Sequence, residues 1–262
     1  MNAPLTQRAI RPETGVERFG EAEWKTRVDL AACYRLVALY GMSDLIYNHI
    51  TARIPGSNDQ FLINPYGMLY EEITATSLIR IDIEGNVLDN PTGEHSVNQA
   101  GYVIHSAIHA ARHDVDCVIH THTRAGMAVS AMKCGLLPLS QTAMRFNQIA
   151  YHDYESVALE LDERARLVRD LGNLDAMILR NHGLLAVGAS IAQAFNCMYW
   201  LEMACKSQVD AMAANTELVM PPKEVAEKTY TLYRPETRRP FGEMEWPAML
   251  RQLDRRDTSY KN

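Results

Sequence analysis

Apolar and polar positions alternate along the chain in a way that marks out short strands and amphipathic helices. Val28, Ala32, Leu36 and Leu39 recur at helical spacing between Gly20 and Tyr40, with Gly41 placed to end the helix. The string YNHITARI then alternates, setting Tyr47, His49, Thr51 and Arg53 on one face and Asn48, Ile50, Ala52 and Ile54 on the other, which predicts a strand. FLI at 61–63 and IRIDI at 79–83, split by NPYG and closed by EGN, extend it into a meander. Ser96 and Gln99 have capping-box spacing ahead of Ala100, Ile104, Ala107, Ile108 and Ala111, predicting a helix to about Arg112. VIHTH reads as a strand, and Thr123 is placed to cap a helix that runs to about Lys133. ERARLVRD reads as a surface helix ended by Gly172, and AMIL with LLAV as a strand pair turning at NHG. Ser190 and Gln193 repeat the capping-box spacing before the longest helix, striped by Ala194, Met198, Leu201, Cys205 and Met212. The interleaving has no regular βαβ rhythm, so a largely antiparallel sheet covered by helices is expected.

The 262 residues contain neither a repeat nor a low-complexity linker, which favours one domain. We expect an arm over residues 1–19, a domain over 20–220, and an irregular Pro-interrupted tail over 221–262 that packs on the domain or on a neighbouring subunit. A net charge of -6 lacks the basic excess that a phosphate-backbone binder needs, so nucleic acid is excluded as a partner. The start MNAPLTQRAIRPETG has no signal-like apolar region and no run is long enough to cross a membrane, which points to the cytoplasm and away from membranes. Cys33, Cys117, Cys134, Cys197 and Cys205 form no CxxC pair and read as buried thiols.

The chemistry is carried by histidines. His120 and His122 lie two apart on a strand and project to one side, a spacing that can chelate a metal ion, although an isolated HxH is more often a pair of hydrogen-bonded strand histidines. His182, in the tight NHG turn at a strand end, is placed to complete a three-histidine face with positions left open for water or substrate. His105, His109 and His113 recur every four residues on the helix face opposite the apolar stripe and read as a solvated face or a subunit contact. No GxGxxG, Walker, GxSxG or HExxH motif occurs, so dinucleotide, P-loop, serine-hydrolase and zincin readings lack their residues.

The strings YNHITARIPG, FLINPYGMLYEEITATSL, VNQAGYVIHSAIHAAR, CVIHTHTRAGMAVSAMKCGLLPLS, AYHDY and ILRNHGLLAVG, spread over about residues 22–215, resemble the class II aldolase/adducin family, and most of all its adducin-type branch. The resemblance implies an α/β fold, a three-layer α/β/α sandwich with a mainly antiparallel central sheet. It also implies a homotetramer with sites between subunits. In the family's catalytic members, aldolases and epimerases acting on sugar phosphates, one divalent ion is held by residues that map onto His120, His122 and His182; zinc is usual, with manganese, cobalt or iron as alternatives.

Departures from the family pattern narrow the chemistry. The catalytic carboxylate position falls at Gly101, preceded by Gln99 and Ala100 in place of phosphate-holding serines. The phosphate-binding asparagine becomes His49, and the hydroxyl of a TPSG-type turn becomes Tyr66 before Gly67. A glycine cannot move a proton, and a phosphate dianion loses donors. The resemblance therefore implies a metal-dependent lyase, by aldol cleavage or decarboxylation, acting on a small carbonyl or carboxylate compound rather than a sugar phosphate, with His49 and Gly67 beside the ligand. Tyr102, Glu94, His105, Tyr230 and Tyr233 are the candidate proton carriers. The alternatives are a non-catalytic module like the adducin head, or a mononuclear iron oxygenase on the same fold.

Overall fold

The computed structural model describes residues 14–155 and 161–262. Helices α1 (Gly15–Phe19) and α2 (Glu21–Leu39) lead into strands β1 (His49–Arg53), β2 (Gln60–Ile63), β3 (Ile79–Asp82) and β4 (Val87–Asp89). Helix α3 (Gln99–Ala111) is followed by β5 (Cys117–Thr121), α4 (Arg124–Ser130), α5 (Gln141–Met144) and β6 (Ala150–His152). Helix α6 (Leu161–Leu171), β7 (Ala176–Leu179) and β8 (Gly183–Gly188) precede α7 (Ile191–Ala213), α8 (Lys223–Leu232) and α9 (Trp246–Asp254). The strands form one sheet in the order β4-β3-β2-β1-β5-β8-β7-β6, antiparallel throughout except between β6 and β7.

Period-2 alternation sends each central strand's side chains into two separate cores. Ile50, Ala52, Leu62, Cys117, Ile119, Ile178, Leu184 and Ala186 pack with Leu30, Leu36, Val37, Met198 and Leu201 of α2 and α7. Val118, Met177, Leu179, Leu185 and Val187 pack with Ile104, Ile108, Leu167 and Leu171 of α3 and α6. The result is a three-layer α/β/α sandwich with a mainly antiparallel sheet, as the sequence implied. Each fully buried aliphatic side chain in these layers contributes roughly 1.5–3 kcal/mol.

Several local expectations are corrected. Asn98, not Ser96, occupies the N-cap of α3, because the Ser96 carbonyl is engaged by the Tyr66 N–H at 2.8 Å. Helix α4 stops at Ser130, three residues short of Lys133, although Thr123 does cap it by accepting from the Gly126 N–H. Met212 leaves the buried stripe of α7 and is exposed, and Cys134 is likewise exposed. The segment after Pro221 is not irregular: it carries α8 and α9 and packs back on the domain. There the Trp246 indole donates to Asp29 at 3.0 Å, and the Ala75 and Thr76 N–H groups donate to the carbonyls of Tyr260 and Asn262. No helix among the described residues is long and apolar enough to cross a membrane.

Candidate metal centre

Three elements deliver the histidines to one edge of the sheet. β5 pairs with β1 so that His120 lies across from His49, and with β8 so that Thr121 lies across from Leu184. The chain leaves β5 at His122 and starts α4 at once, so His122 is fixed between a strand end and a capped helix start. His182 comes from the β7–β8 turn, where Asn181 takes a positive φ of 55°, a conformation that asparagine tolerates. Gly183 then lets the turn press against β5: a Cβ there would collide with the Thr121 carbonyl and stand 3.2 Å from the His122 ring.

The imidazoles converge through their Nε2 atoms, 2.8 Å between His120 and His122 and 2.9 Å between His122 and His182. Their tautomers follow from the outer partners. His120 Nδ1 faces the Leu184 carbonyl at 2.9 Å, and His122 Nδ1 faces the Asp44 carboxylate at 3.0 Å; both partners only accept, so both Nδ1 atoms carry the hydrogen. In the neutral rings, two Nε2 lone pairs are then pointed at each other. That arrangement is repulsive unless a proton or a cation lies between them, and nitrogens about 2.0–2.1 Å from a tetrahedral zinc would stand only ~0.5 Å further apart. Burial, followed by the neighbouring imidazoles, holds His120 well below the ordinary histidine range and His182 down to about 4. Neutral donors without a proton to shed fit a divalent ion. Asp44 escaped the sequence reading because it lies in the turn after α2, 78 residues from its partner; a carboxylate behind a metal-bound imidazole fixes the ring and raises its basicity.

Behind the triad lies a second row of histidines. His49 is buried, with its ring centroid 5.6 Å from that of His120 and 4.2 Å from that of His105. Among the described residues neither of its ring nitrogens meets a partner at ordinary hydrogen-bond geometry, and burial first, then His122, pushes it down to about 4 against weaker backbone contacts at Tyr47 and Gly101. Thr51 sits between His105 Nδ1 and His109 Nε2 at 2.8 Å from each. His105 and His109 therefore face the sheet and are fully buried, against the expectation of a solvated face; only His113 is exposed. Gly101 explains the packing, since a Cβ at this position would stand 2.6 Å from His49 Nε2 and closer still to Cε1 and Nδ1. The His49 imidazole thus occupies the volume that a side chain at position 101 would need.

The remaining candidates separate. Gly67, at a φ of 110°, follows β2 on the same sheet edge as His49, and a Cβ there would meet the His95 ring at 3.1 Å. Tyr102 turns away, its hydroxyl donating to the Asp82 carbonyl at 2.7 Å within a cluster that includes Phe61 and Ile81. Glu94 is exposed in the loop before α3. Tyr230 and Tyr233 line a cavity at the opposite end of the sheet, so within this chain they do not approach the triad.

Comparison with known proteins agrees with this frame. The family model of the Class II Aldolase and Adducin N-terminal domain matches residues 28–209. The chain is similar to an aldolase II superfamily protein from Pseudomonas syringae, whose crystal structure superposes with a TM-score of 0.88 at 50% identity, covering 94% of this chain and 98% of that one. It is similar to L-fuculose 1-phosphate aldolase from Glaciozyma antarctica PI12, with a TM-score of 0.81 at 27% identity over 96% and 97% of the two chains. It is also 41% identical to alpha-adducin of Rattus norvegicus over 90% of this chain but 34% of the adducin, and so spans about a third of that protein. Match, fold and residues together place the chain in the class II aldolase and adducin family.

Proposed function

We propose that this chain is a divalent-metal-dependent lyase, cleaving or decarboxylating a small carbonyl or carboxylate compound. His120, His122 and His182 would hold one ion, zinc in the first instance, with manganese, cobalt or iron as alternatives. The observation that carries this reading is the forced convergence of the His120 and His122 lone pairs, set by Leu184 and Asp44 on the outer nitrogens. Bound there, the ion would supply Lewis-acid polarisation of a carbonyl. His49 and Gly67 border the ligand side. Gly101 brings neither a carboxylate nor a hydroxyl, which argues against a sugar phosphate even though one similar structure is a sugar-phosphate aldolase. We place the active assembly as a homotetramer in the cytoplasm.

Elemental analysis of chelator-free protein, beside His120→Ala and His182→Ala, tests the centre. We expect about one ion per chain, lost in both variants with folding retained; an oxygen-dependent activity with iron would move the chemistry to an oxygenase. No metal uptake after incubation with excess Zn²⁺ would refute the enzyme reading. A second reading, a non-catalytic adducin-like module, is favoured by the likeness to alpha-adducin together with the glycine at 101. Light scattering of the purified protein checks the tetramer.

A further inference from the structure

The AYHDY motif puts a further titratable group at the sheet edge that carries the metal centre. Strand β6 ends in His152, which lies across from Leu179 of the parallel strand β7, and β7 runs on into the turn that holds His182. Ala150 and Val118 both pack in the core beneath α3 and α6. Two residues further along their strands, His152 and His120 therefore face the same side of the sheet.

His152 is only 4% exposed. Its Nδ1 lies 2.8 Å from Asp170 Oδ2, and Arg169 holds the other oxygen of that carboxylate at 2.9 Å and 3.1 Å. A carboxylate only accepts, so Nδ1 carries the hydrogen and Nε2 is the atom left to gain or lose a proton. Nε2 has no hydrogen-bond partner among the described residues; Glu163 Oε1, 3.6 Å away, closes one side without saturating it. Beside these groups is a cavity of about 10 Å³, the space of about one water molecule, lined by His152, Glu163, Tyr154 and His182. The other charged groups around it are engaged elsewhere or face solvent. Arg180 donates from Nη1 to the Met132 carbonyl at 2.9 Å and lies 4.2 Å over the Tyr151 ring, Asp153 is exposed, and α3 contributes only Ile104. An imidazole whose Nδ1 is pinned by a carboxylate and whose Nε2 is open beside a water-sized space has the geometry of an oriented acid–base group.

We propose that His152, oriented by Asp170, carries the proton of the metal-centre reaction across this cavity to a ligand on the His182 side. The proposal rests on the lyase reading and supplies the group that Gly101 does not. In both reactions of that reading, the C–C bond that breaks leaves its electron pair on the carbon next to the carbonyl. The His152 imidazolium gives its Nε2 proton to that carbon through one water, a C–H bond forming as N–H breaks. In aldol cleavage His152 first takes that proton from the substrate hydroxyl, whose oxygen becomes a carbonyl. In decarboxylation CO₂ leaves, and the proton given to the carbon is replaced from solvent. Asp170 is a positioning residue that balances the charged ring.

Exchange of the α-hydrogens of hydroxyacetone into D₂O, followed by proton NMR, tests the step, because the same carbon must lose and regain a proton. Zinc-loaded full chain is compared as wild type, His152→Asn, Asp170→Asn and His182→Ala, with metal content per chain measured for each. Asparagine at 152 keeps an N–H for Asp170 and removes Nε2. We expect exchange in wild type, slower by about 100-fold or more in His152→Asn and by about tenfold or more in Asp170→Asn, with metal content unchanged in both. Undiminished exchange in His152→Asn, lost together with the metal in His182→Ala, would overturn the proposal and leave the lyase reading standing. No exchange by zinc-loaded wild type would overturn the lyase reading, and the proposal with it. A second readout needs neither metal nor turnover: NMR of the metal-free chain labelled with ¹⁵N-histidine, the His152 signals assigned by their loss in His152→Asn. The neutral ring should carry its hydrogen on Nδ1, and an Nε2–H tautomer would overturn the assignment. Should His152→Asn fail to fold, Asp170→Asn decides: it should slow exchange with the metal retained, and an unchanged rate would overturn the proposal.

Discussion

Substituting Gly101 by alanine tests the claim that His49 fills the volume of a side chain at this position. Gly101 lies in the first turn of α3, where alanine in place of glycine gains less than the ~1 kcal/mol of a helix interior. Against that gain, the added Cβ would stand 2.6 Å from His49 Nε2, where ordinary contact starts at 3.4 Å. The ring must retreat by ~0.8 Å or more, an overpacking that costs about 1–3 kcal/mol in a filled core. Retreat is limited by His105, 4.2 Å away between centroids, and by His120, 5.6 Å away. We expect Gly101→Ala to destabilise the protein by about 1–2 kcal/mol, and the same change in a His49→Ala background to be neutral or stabilising, a coupling of about 1 kcal/mol or more. Urea unfolding with chelator present, at one protein concentration because of assembly, measures all four corners of the cycle. A stabilised Gly101→Ala in the wild-type background, or additivity within about 0.5 kcal/mol, would refute the shared-volume argument.

Two further outcomes follow from the second row of the site. Asp44→Asn should leave the three ligands in place and lower metal affinity roughly 10–100-fold, read by competition with a chelator; unchanged affinity would deny Asp44 its orienting role. Burial holds His109 neutral, pushed down to about 3 from an ordinary 6.5, so the unfolded chain binds a proton that the folded chain refuses. Its contribution is complete above pH 6.5 and is lost as pH falls toward 3, at up to about 1.4 kcal/mol per pH unit. In the metal-free protein, His109→Asn should therefore flatten the stability profile between pH 6.5 and 5 by about one proton, and superimposable profiles would contradict the burial argument.

How far the sequence could be read depends on how local the determining interaction is. Strand β1 and its faces followed from alternation alone, and the NHG turn followed from its own residues. The grouping of His120, His122 and His182 was accessible because two of them share a strand end and the third sits in the turn of the adjoining hairpin. His105 and His109 were misplaced for a physical reason: α3 is covered on more than its aliphatic face, and β1 offers Thr51 as a polar partner that no helical pattern announces. Asp44 and the α3 cap failed similarly, since each was decided by a partner distant in sequence, His122 in one case and Tyr66 in the other.

The same second row bears on whether this chain has merely lost a catalytic apparatus. A carboxylate removed without compensation leaves a void, and a void in a packed interior costs stability in proportion to its volume. Here the volume at Gly101 is taken by a buried imidazole that is itself wedged against His105, which Thr51 ties to His109, which stacks on Phe61 at 4.4 Å between centroids. Keeping neutral, incompletely bonded imidazoles in that interior costs stability, because His49, His105 and His109 all retain ring nitrogens without a well-formed hydrogen bond among the described residues. An aliphatic side chain at 49 would fill the space more cheaply. A polar group retained at such cost beside three converging metal-type donors supports the proposed ligand-handling site and weighs for the enzyme reading over the module.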